Sequence, residues 1–276
     1  MANVIPMAGE GTRFSKEGYT LPKPMIPVSG IPMILKVIRD LPPSNKWIFM
    51  VRQEHVEDYA LDKLIKSELP DAIIVPVLET TEGQACTCML AEPHLDDDEE
   101  VFIAACDNGY IYNKDKYDEL RADKKVDSIL WTFTQRETLS RNPTAWGWVN
   151  LEKDGLTIDD MSVKVPVSDD PFNDHAVVAT FWFRTFKDFK DSVNLMIKED
   201  YRIKNEFYVD SVPVFMKKLG KRTVIFDVEH YLGWGTPADL YDYQKLEYFV
   251  KYEVKPKGIS KEDERLFPLW KRYFEQ

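Results

Sequence analysis

The chain opens on a short apolar run, Val4-Ile5-Pro6-Met7-Ala8, that stops at Gly9 and Gly11. A continuous apolar stretch closed by turn residues predicts a buried strand running into a glycine-rich loop. The rhythm then changes. Met33, Ile34, Val37, Ile38 and Leu41 recur at helical spacing, and Pro42-Pro43 ends that helix. Residues 46–51, with Trp47-Ile48-Phe49-Met50-Val51, read as a strand. Residues 56–67 read as a helix with Tyr59, Ala60, Leu64 and Ile65 facing inward, and residues 73–77 as the next strand. Strand and helix alternating at this spacing predict a largely parallel sheet with crossover helices.

The pattern continues with a helix over 84–92, a strand over 101–105, a helix around 115–121 and a strand over 126–134. Asp154-Gly155 marks a hairpin turn. A strongly apolar strand over 176–183 is followed by an amphipathic helix over 186–197. A helix opening at Asn205-Glu206 and running to about Leu219, a short strand over 224–227 and a helix after Gly235-Thr236-Pro237 complete the order. The fold class expected is α/β: a Rossmann-like three-layer α/β/α arrangement with a mostly parallel, mixed central sheet. One domain is expected over 1–252, its halves meeting near 125, with a packing tail over 253–276 that turns at Pro256-Lys257-Gly258. The aromatic end of that tail, Phe267 to Phe274, is expected to pack onto the domain or onto a second subunit, which leaves a homo-oligomer open.

Composition narrows the function classes. A chain of 276 residues, 44% hydrophobic, can bury a full core. The formal net charge of −11 argues against a general binder of nucleic acid or of anionic membrane. It leaves room for a small basic pocket that takes an anionic substrate. Cys86, Cys88 and Cys106 suit a reducing compartment and read as apolar fillers, because no second pair completes a metal site. No stretch approaches membrane-span length and no leader pattern is seen, so a soluble cytoplasmic protein is the expectation.

The candidate chemistry starts at the first loop. Glycine lets backbone amides approach a polyphosphate, and successive amides form an anion-binding concavity. Arg13 and Lys23 add fixed positive charge in an acidic chain. The loop lacks the third glycine of a dinucleotide fingerprint and the Gly-Lys-Ser/Thr end of a P-loop. Ala8-Gly9-Glu10-Gly11-Thr12-Arg13 followed by Pro22-Lys23-Pro24 resembles instead the signature of the sugar-phosphate nucleotidylyltransferase family, the enzymes that make nucleotide-activated sugars and related phosphorylated alcohols.

That resemblance reaches to about Tyr252 and implies a GT-A-like nucleotidyltransferase fold with Mg²⁺ as cofactor. It places Ala8, Gly9, Glu10, Gly11, Thr12 and Arg13 on the nucleotide phosphates, with Glu79, Gly83, Gln84 and Asn108 toward the base and ribose. Arg13, Lys23 and Asp107 become the catalytic residues, and Asp107 the magnesium ligand at a strand end. Trp146, Gly147, Lys164, Glu206 and Asp210 fall at acceptor-binding positions. Glu206 and Asp210 would also suit an acceptor that carries an amine. The substrates implied are a nucleoside triphosphate and a phosphorylated small molecule, with pyrophosphate as the leaving group.

Three departures from the family pattern stand out. Val163 takes the place of a glutamate before Lys164, and Val165 separates Lys164 from Pro166. Gly233 stands where many relatives carry the second magnesium aspartate, so Asp239 or Asp227 is expected to take over; Thr236 and Asp239 also read as a simple helix cap. The departures at Gly233 and Val163, with the variant Pro22-Lys23-Pro24 context, resemble a subgroup active on capsule or surface-polymer precursors; cytidylyl transfer is favoured, with uridylyl, guanylyl and thymidylyl transfer open. Two other classes compete. A sugar-nucleotide-dependent glycosyltransferase would show Asp-x-Asp, where residues 107 to 109 are Asp-Asn-Gly. A non-catalytic nucleotide-binding subunit would account for Gly233.

Overall fold

The computed structural model describes residues 1–252 and 261–275. The chain divides into two compact units, each assembled from three segments. One comprises Met1–Gly9, Pro42–Ala105 and Asn113–Val228; the other comprises Glu10–Leu41, Cys106–Tyr112 and Glu229–Gln276. The expected turn at Pro256-Lys257-Gly258 lies outside the described residues.

The first unit is built on a nine-stranded mixed sheet. Strand Ala2–Met7 is buried at every position, as a central strand of a parallel sheet must be. It pairs in parallel with Lys46–Arg52 and Val101–Ala104, and Ile73–Val77 extends the parallel set beyond Lys46–Arg52. His175–Phe183 runs antiparallel to Val101–Ala104, Ser128–Phe133 and Gly147–Leu151. Thr223–Asp227 returns in parallel beside Ser128–Phe133. Gly147–Leu151 and Ile158–Val163 form the hairpin expected at Asp154-Gly155.

Alternation along the strands sorts side chains onto two cores. Val4, Ile48, Met50, Ile103, Leu130, Phe181 and Phe183 pack with the helices Gln84–Met89, Phe186–Lys198 and Val212–Lys218, through Ala85, Cys88, Phe189, Val193, Met196, Phe215 and Met216. On the other face Phe102, Trp131 and Phe226 surround Tyr117 of helix Lys114–Ala122, with ring centroids 5.0 to 6.2 Å apart. Helices on both faces of a mixed, largely parallel sheet make the three-layer α/β/α fold that the pattern predicts.

Three elements differ from expectation. The helix expected over 56–67 is two helices, Gln53–Tyr59 and Leu61–Glu68, because Ala60 adopts the left-handed conformation (φ +53°) and ends the first. The helix expected from Asn205 starts later: Val209–Ser211 is a 3₁₀ turn, and the α-helix is Val212–Lys218. Strand His175–Phe183 bulges at Ala179 (φ +54°), where its register against Ser128–Phe133 shifts.

In the second unit, Asn108–Ile111 pairs antiparallel with His230–Gly233, and Pro27–Val28 with Ile31–Pro32. Helices Met33–Asp40, Pro237–Tyr252 and Lys261–Phe274 supply its apolar packing. The aromatic end packs within this unit. Trp270 is buried against His230, while the half-buried Phe274 and Phe267 pack on Tyr243 and Phe249. The Tyr273 hydroxyl donates to Asp40 Oδ2 at 2.5 Å, while Lys36 pairs with Asp40 Oδ1 at 2.8 Å. Among the described residues no helix is long and apolar enough to cross a membrane.

Candidate active site

The glycine-rich loop is where the chain passes from the first unit to the second. Ala8 is buried at the end of the first strand, while Gly9, Glu10, Thr12 and Arg13 are exposed. Gly11 is left-handed (φ +66°) and lies against Lys23, whose Cβ is 3.4 Å from where a side chain on Gly11 would begin. Positive φ without strain is the reason for glycine here. The chain then makes one helical turn, Thr12–Ser15, which carries Arg13. Pro22 and Pro24 bracket Lys23 at the start of the 3₁₀ turn Lys23–Met25, and their fixed φ angles hold the lysine in a stiff segment.

Lys23 forms an ion pair with Asp107 and donates a second hydrogen bond to the Gly235 carbonyl at 3.1 Å. The pair is largely withdrawn from solvent, the two side chains being 13% and 25% exposed. Burial works to raise the Asp107 pKa, but the Lys23 charge, its hydrogen bond and the Arg13 charge outweigh it, so the carboxyl is held below its ordinary value. Asp107 is therefore ionised at neutral pH. A side chain on Gly235 would begin 3.2 Å from Asp107 Oδ2 and 3.9 Å from Asp239 Oδ2. Both carboxylates thus face the same backbone position. Thr236 caps helix Pro237–Tyr252: its Oγ1 accepts from the Asp239 backbone N–H at 3.1 Å and donates to Asp239 Oδ2 at 2.7 Å. The cap is real, and it keeps the carboxylate beside Gly235.

Asn108 is buried and sits opposite Gly233 in the antiparallel pair. The space beside Gly233 belongs to Tyr231, whose Cε1 and hydroxyl lie 2.9 and 3.1 Å from where a Cβ on residue 233 would stand. Burial, and the charges of Asp107 and Asp239 beside it, raise the Tyr231 phenol well above its ordinary pKa, so it is a neutral hydroxyl among carboxylates. Asp227 is in the first unit, where its Oδ1 accepts from Thr132 Oγ1 at 2.7 Å and lies 2.9 Å from His175 Nδ1.

The other candidate residues belong to the first unit. Glu79 is exposed beyond strand Ile73–Val77, and Gln84 opens helix Gln84–Met89. Gly83 is buried with φ +134°, and a Cβ there would stand 2.5 Å from the backbone nitrogen of Phe207 and 2.6 Å from its oxygen. The close backbone approach at Gly83 is thus to the 205–210 segment. Phe207 N–H donates to Glu82 O at 2.9 Å, and Ala85 N–H donates to Phe207 O at 3.0 Å.

That segment carries Tyr208 and Asp210 to Lys164 and Gly147. Lys164 Nζ donates to the Tyr208 hydroxyl at 3.0 Å, and its backbone N–H donates to Trp146 O at 2.8 Å. Lys164 itself is left-handed (φ +68°), an uncommon state for a side-chain-bearing residue. Gly147 is buried, and a Cβ on it would stand 2.5 Å from Asp210 Oδ2. Burial pushes Asp210 up to about 6, against the opposing pull of the Lys164 charge. Trp146 packs edge-on to Phe133, with centroids 5.1 Å apart. Glu206 is not gathered with these groups; it is exposed in a tight turn bridged to Ile203.

Two clusters therefore emerge. In the second unit Lys23, Asp107, Asp239, the Gly235 carbonyl and Tyr231 converge, with Arg13 contributing charge. In the first, Lys164, Tyr208, Asp210 and Gly147 do. The motif reading did not single out Tyr208, Tyr231 or the Gly235 carbonyl. No local sequence signal marks them; the missing side chains at 147, 233 and 235 become informative only once the structure shows what stands beside each.

No protein-family model matches the chain, and no curated protein matches it. Solved structures do match. A nucleoside-diphosphate-sugar pyrophosphorylase from Vibrio cholerae RC9 superposes with a TM-score of 0.69 at 19% identity, over 88% of this chain and 99% of that one. A UDP-glucose pyrophosphorylase complexed with UDP-glucose gives 0.68 at 18% identity, over 90% and 98%. An inositol-1-phosphate CTP transferase from T. maritima gives 0.66 at 15% identity, over 92% and 98%. What these comparisons show is the fold: the chain shares the three-layer α/β/α fold of these structures along nearly its whole length.

Proposed function

We propose that the protein is a nucleotidyltransferase: a phosphate oxygen of a phosphorylated small molecule attacks the α-phosphorus of a nucleoside triphosphate, and pyrophosphate leaves. The observation that carries the reading is the Lys23–Asp107 pair held beside Gly235, with Asp239 and Arg13 adding a second carboxylate and a second cation. Charge of both signs concentrated on stiff turns is what phosphoryl-type transfer asks of a protein, since catalysis there is positioning and neutralisation. The shared fold supports the reading.

In this scheme the Ala8–Gly11 backbone, with Glu10 and Thr12 in the loop, and Arg13 hold the triphosphate. Glu79, Gly83, Gln84 and Asn108 border the nucleoside. Lys23 neutralises charge as the α-phosphorus is attacked. Lys164 holds the acceptor phosphate, with Trp146, Gly147, Glu206 and Asp210 toward the rest of the acceptor. No protein base is required, because the second pKa of a phosphate monoester is roughly 6 and the attacking group is already ionised.

Mg²⁺ fits the second unit's cluster. Asp107 and Asp239 offer hard oxygen donors around Gly235, and magnesium is commonly bound by one or two carboxylates with substrate phosphates completing its shell. No cluster of three or more His, Cys, Asp or Glu side chains suited to a metal occurs among the described residues. When bound, the ion would offset phosphate charge and favour departure of pyrophosphate.

The proposal takes CTP as donor, on the sequence resemblance, and a capsule or surface-polymer precursor as product. Pyrophosphate release with Mg²⁺, each nucleoside triphosphate and a panel of phosphorylated sugars, polyols and amino alcohols tests it. Release confined to one pair of substrates is expected. Nucleotide binding without release across the panel would overturn the reading in favour of a non-catalytic subunit, and sugar transfer from a nucleotide sugar would favour a glycosyltransferase.

A further inference from the structure

Among the described residues, no side chain donates a hydrogen bond to Asp210. Lys164, the cation facing it, gives its hydrogen bond to Tyr208 instead. The hydrogen bond that Asp210 does receive comes from its own backbone N–H. Its side chain is only partly open to solvent. Gly147 makes room for it, since any side chain there would collide with Oδ2. Withdrawing a carboxylate from water without a partner is costly, and such a group persists where something else supplies the countercharge. Two neighbouring features extend the picture. Lys164 is fixed by its left-handed backbone and by Tyr208. The Tyr208 ring already lies 5.1 Å from an ammonium, that of Lys164, and aromatic faces attract ammonium groups.

We propose that Asp210 and Lys164 form a two-signed clamp for a zwitterionic acceptor: Lys164, held by Tyr208, takes the phosphate, and Asp210, admitted by Gly147, takes an amine or quaternary ammonium on the same small molecule. The proposal rests on the nucleotidyl-transfer reading and specifies the acceptor class within it. A sugar phosphate without an amine would satisfy Lys164 and leave Asp210 without its ion pair.

The test uses the full chain with Mg²⁺ and each nucleoside triphosphate, and compares phosphoethanolamine and phosphocholine with glycerol 3-phosphate and glucose 1-phosphate. Calorimetric binding of the same four compounds runs alongside, on wild type and Asp210→Asn. A charge-assisted contact predicts a preference of about tenfold or more for the amine-bearing pair in kcat/KM and in binding. Asp210→Asn should raise KM for that pair and leave kcat close to wild type, removing the preference. Pyrophosphate release with a preference for glycerol 3-phosphate or glucose 1-phosphate would overturn the clamp and leave the transfer reading standing. So would a variant that weakens all four compounds equally. No release from any compound would remove the transfer reading, and the acceptor proposal would fall with it.

Discussion

Lys23 and Asp210 show two opposite uses of burial at the scale of single residues. Lys23 is partnered on two sides, by Asp107 and by the Gly235 carbonyl, so its charge is oriented before any ligand arrives. Replacing it with alanine should lower turnover by about 10² to 10³, the range for losing one preorganised donor to transition-state charge. Turnover of Lys23→Ala within a factor of three of wild type would remove Lys23 from the chemistry. Asp210 is strained the other way. Its folded pKa, about 6, lies above the ordinary 3.8. Its contribution to stability is therefore full below pH 4 and is lost as pH rises through 6, where the ionised form is kept, among the described residues, with no hydrogen-bonding partner other than its own N–H. Lys164 and Tyr208 are the groups that face or border it. Asp210→Asn should then be more stable than wild type at pH 7.5, by about 1–2 kcal/mol after allowing for its partial exposure. The gap should close as pH falls toward 4. Thermal unfolding at the two pH values checks both the sign and the window.

At the scale of elements, the contact between residues 82–85 and the 205–210 segment decides whether the Lys164 cluster exists. Gly83 meets the Phe207 backbone, and two hydrogen bonds seal the junction. Gly83→Ala sets a methyl group against backbone, which cannot rotate away, and should destabilise by about 3 kcal/mol. Thermal melting would show it, and acceptor affinity should fall as Tyr208 and Asp210 shift. A Gly83→Ala protein that melts with the wild type would refute the junction. Much of this scale could be read from the chain. The buried strands announce themselves as apolar runs between turn residues, and the hairpin by Asp154-Gly155. Helix 56–67 could not be read correctly, because it is broken by a left-handed alanine that no glycine, asparagine or proline advertises. Asn205-Glu206 resembled a helix start by composition. The backbone there instead serves the Gly83 junction, a long-range constraint invisible to local pattern.

At the scale of the whole molecule, both units are discontinuous in sequence. Lys23, Asp107 and Gly235 lie on three separate segments of the second unit, so the site cannot form until residues more than two hundred positions apart have paired. The sequence offered Arg13 and Lys23 as functional candidates beside glycine and proline turns, Asp107 as a carboxylate at the end of an apolar strand, and Asp239 as a carboxylate after Gly235-Thr236-Pro237. It could not place Tyr231, since nothing local says that the space left at Gly233 is filled by the ring two residues earlier. The last helix is tied into its unit by Tyr273 on the buried Asp40, whose pKa burial raises despite Lys36. Tyr273→Phe should lower stability by about 1–3 kcal/mol, the range for a buried polar group deprived of its partner. Denaturant unfolding measures it, and an unchanged midpoint would show that the hydroxyl contributes nothing.

The proposed transfer joins the acceptor phosphate to the nucleotide α-phosphate. The most direct measurement is phosphorus NMR of one reaction mixture containing the protein, Mg²⁺, CTP and the acceptor with the highest pyrophosphate release. Nucleotidyl transfer gives a pair of coupled resonances from a new unsymmetrical pyrophosphate diester, growing in step with a single pyrophosphate resonance. Orthophosphate with a nucleoside diphosphate, or pyrophosphate with free nucleoside monophosphate and unchanged acceptor, would contradict it.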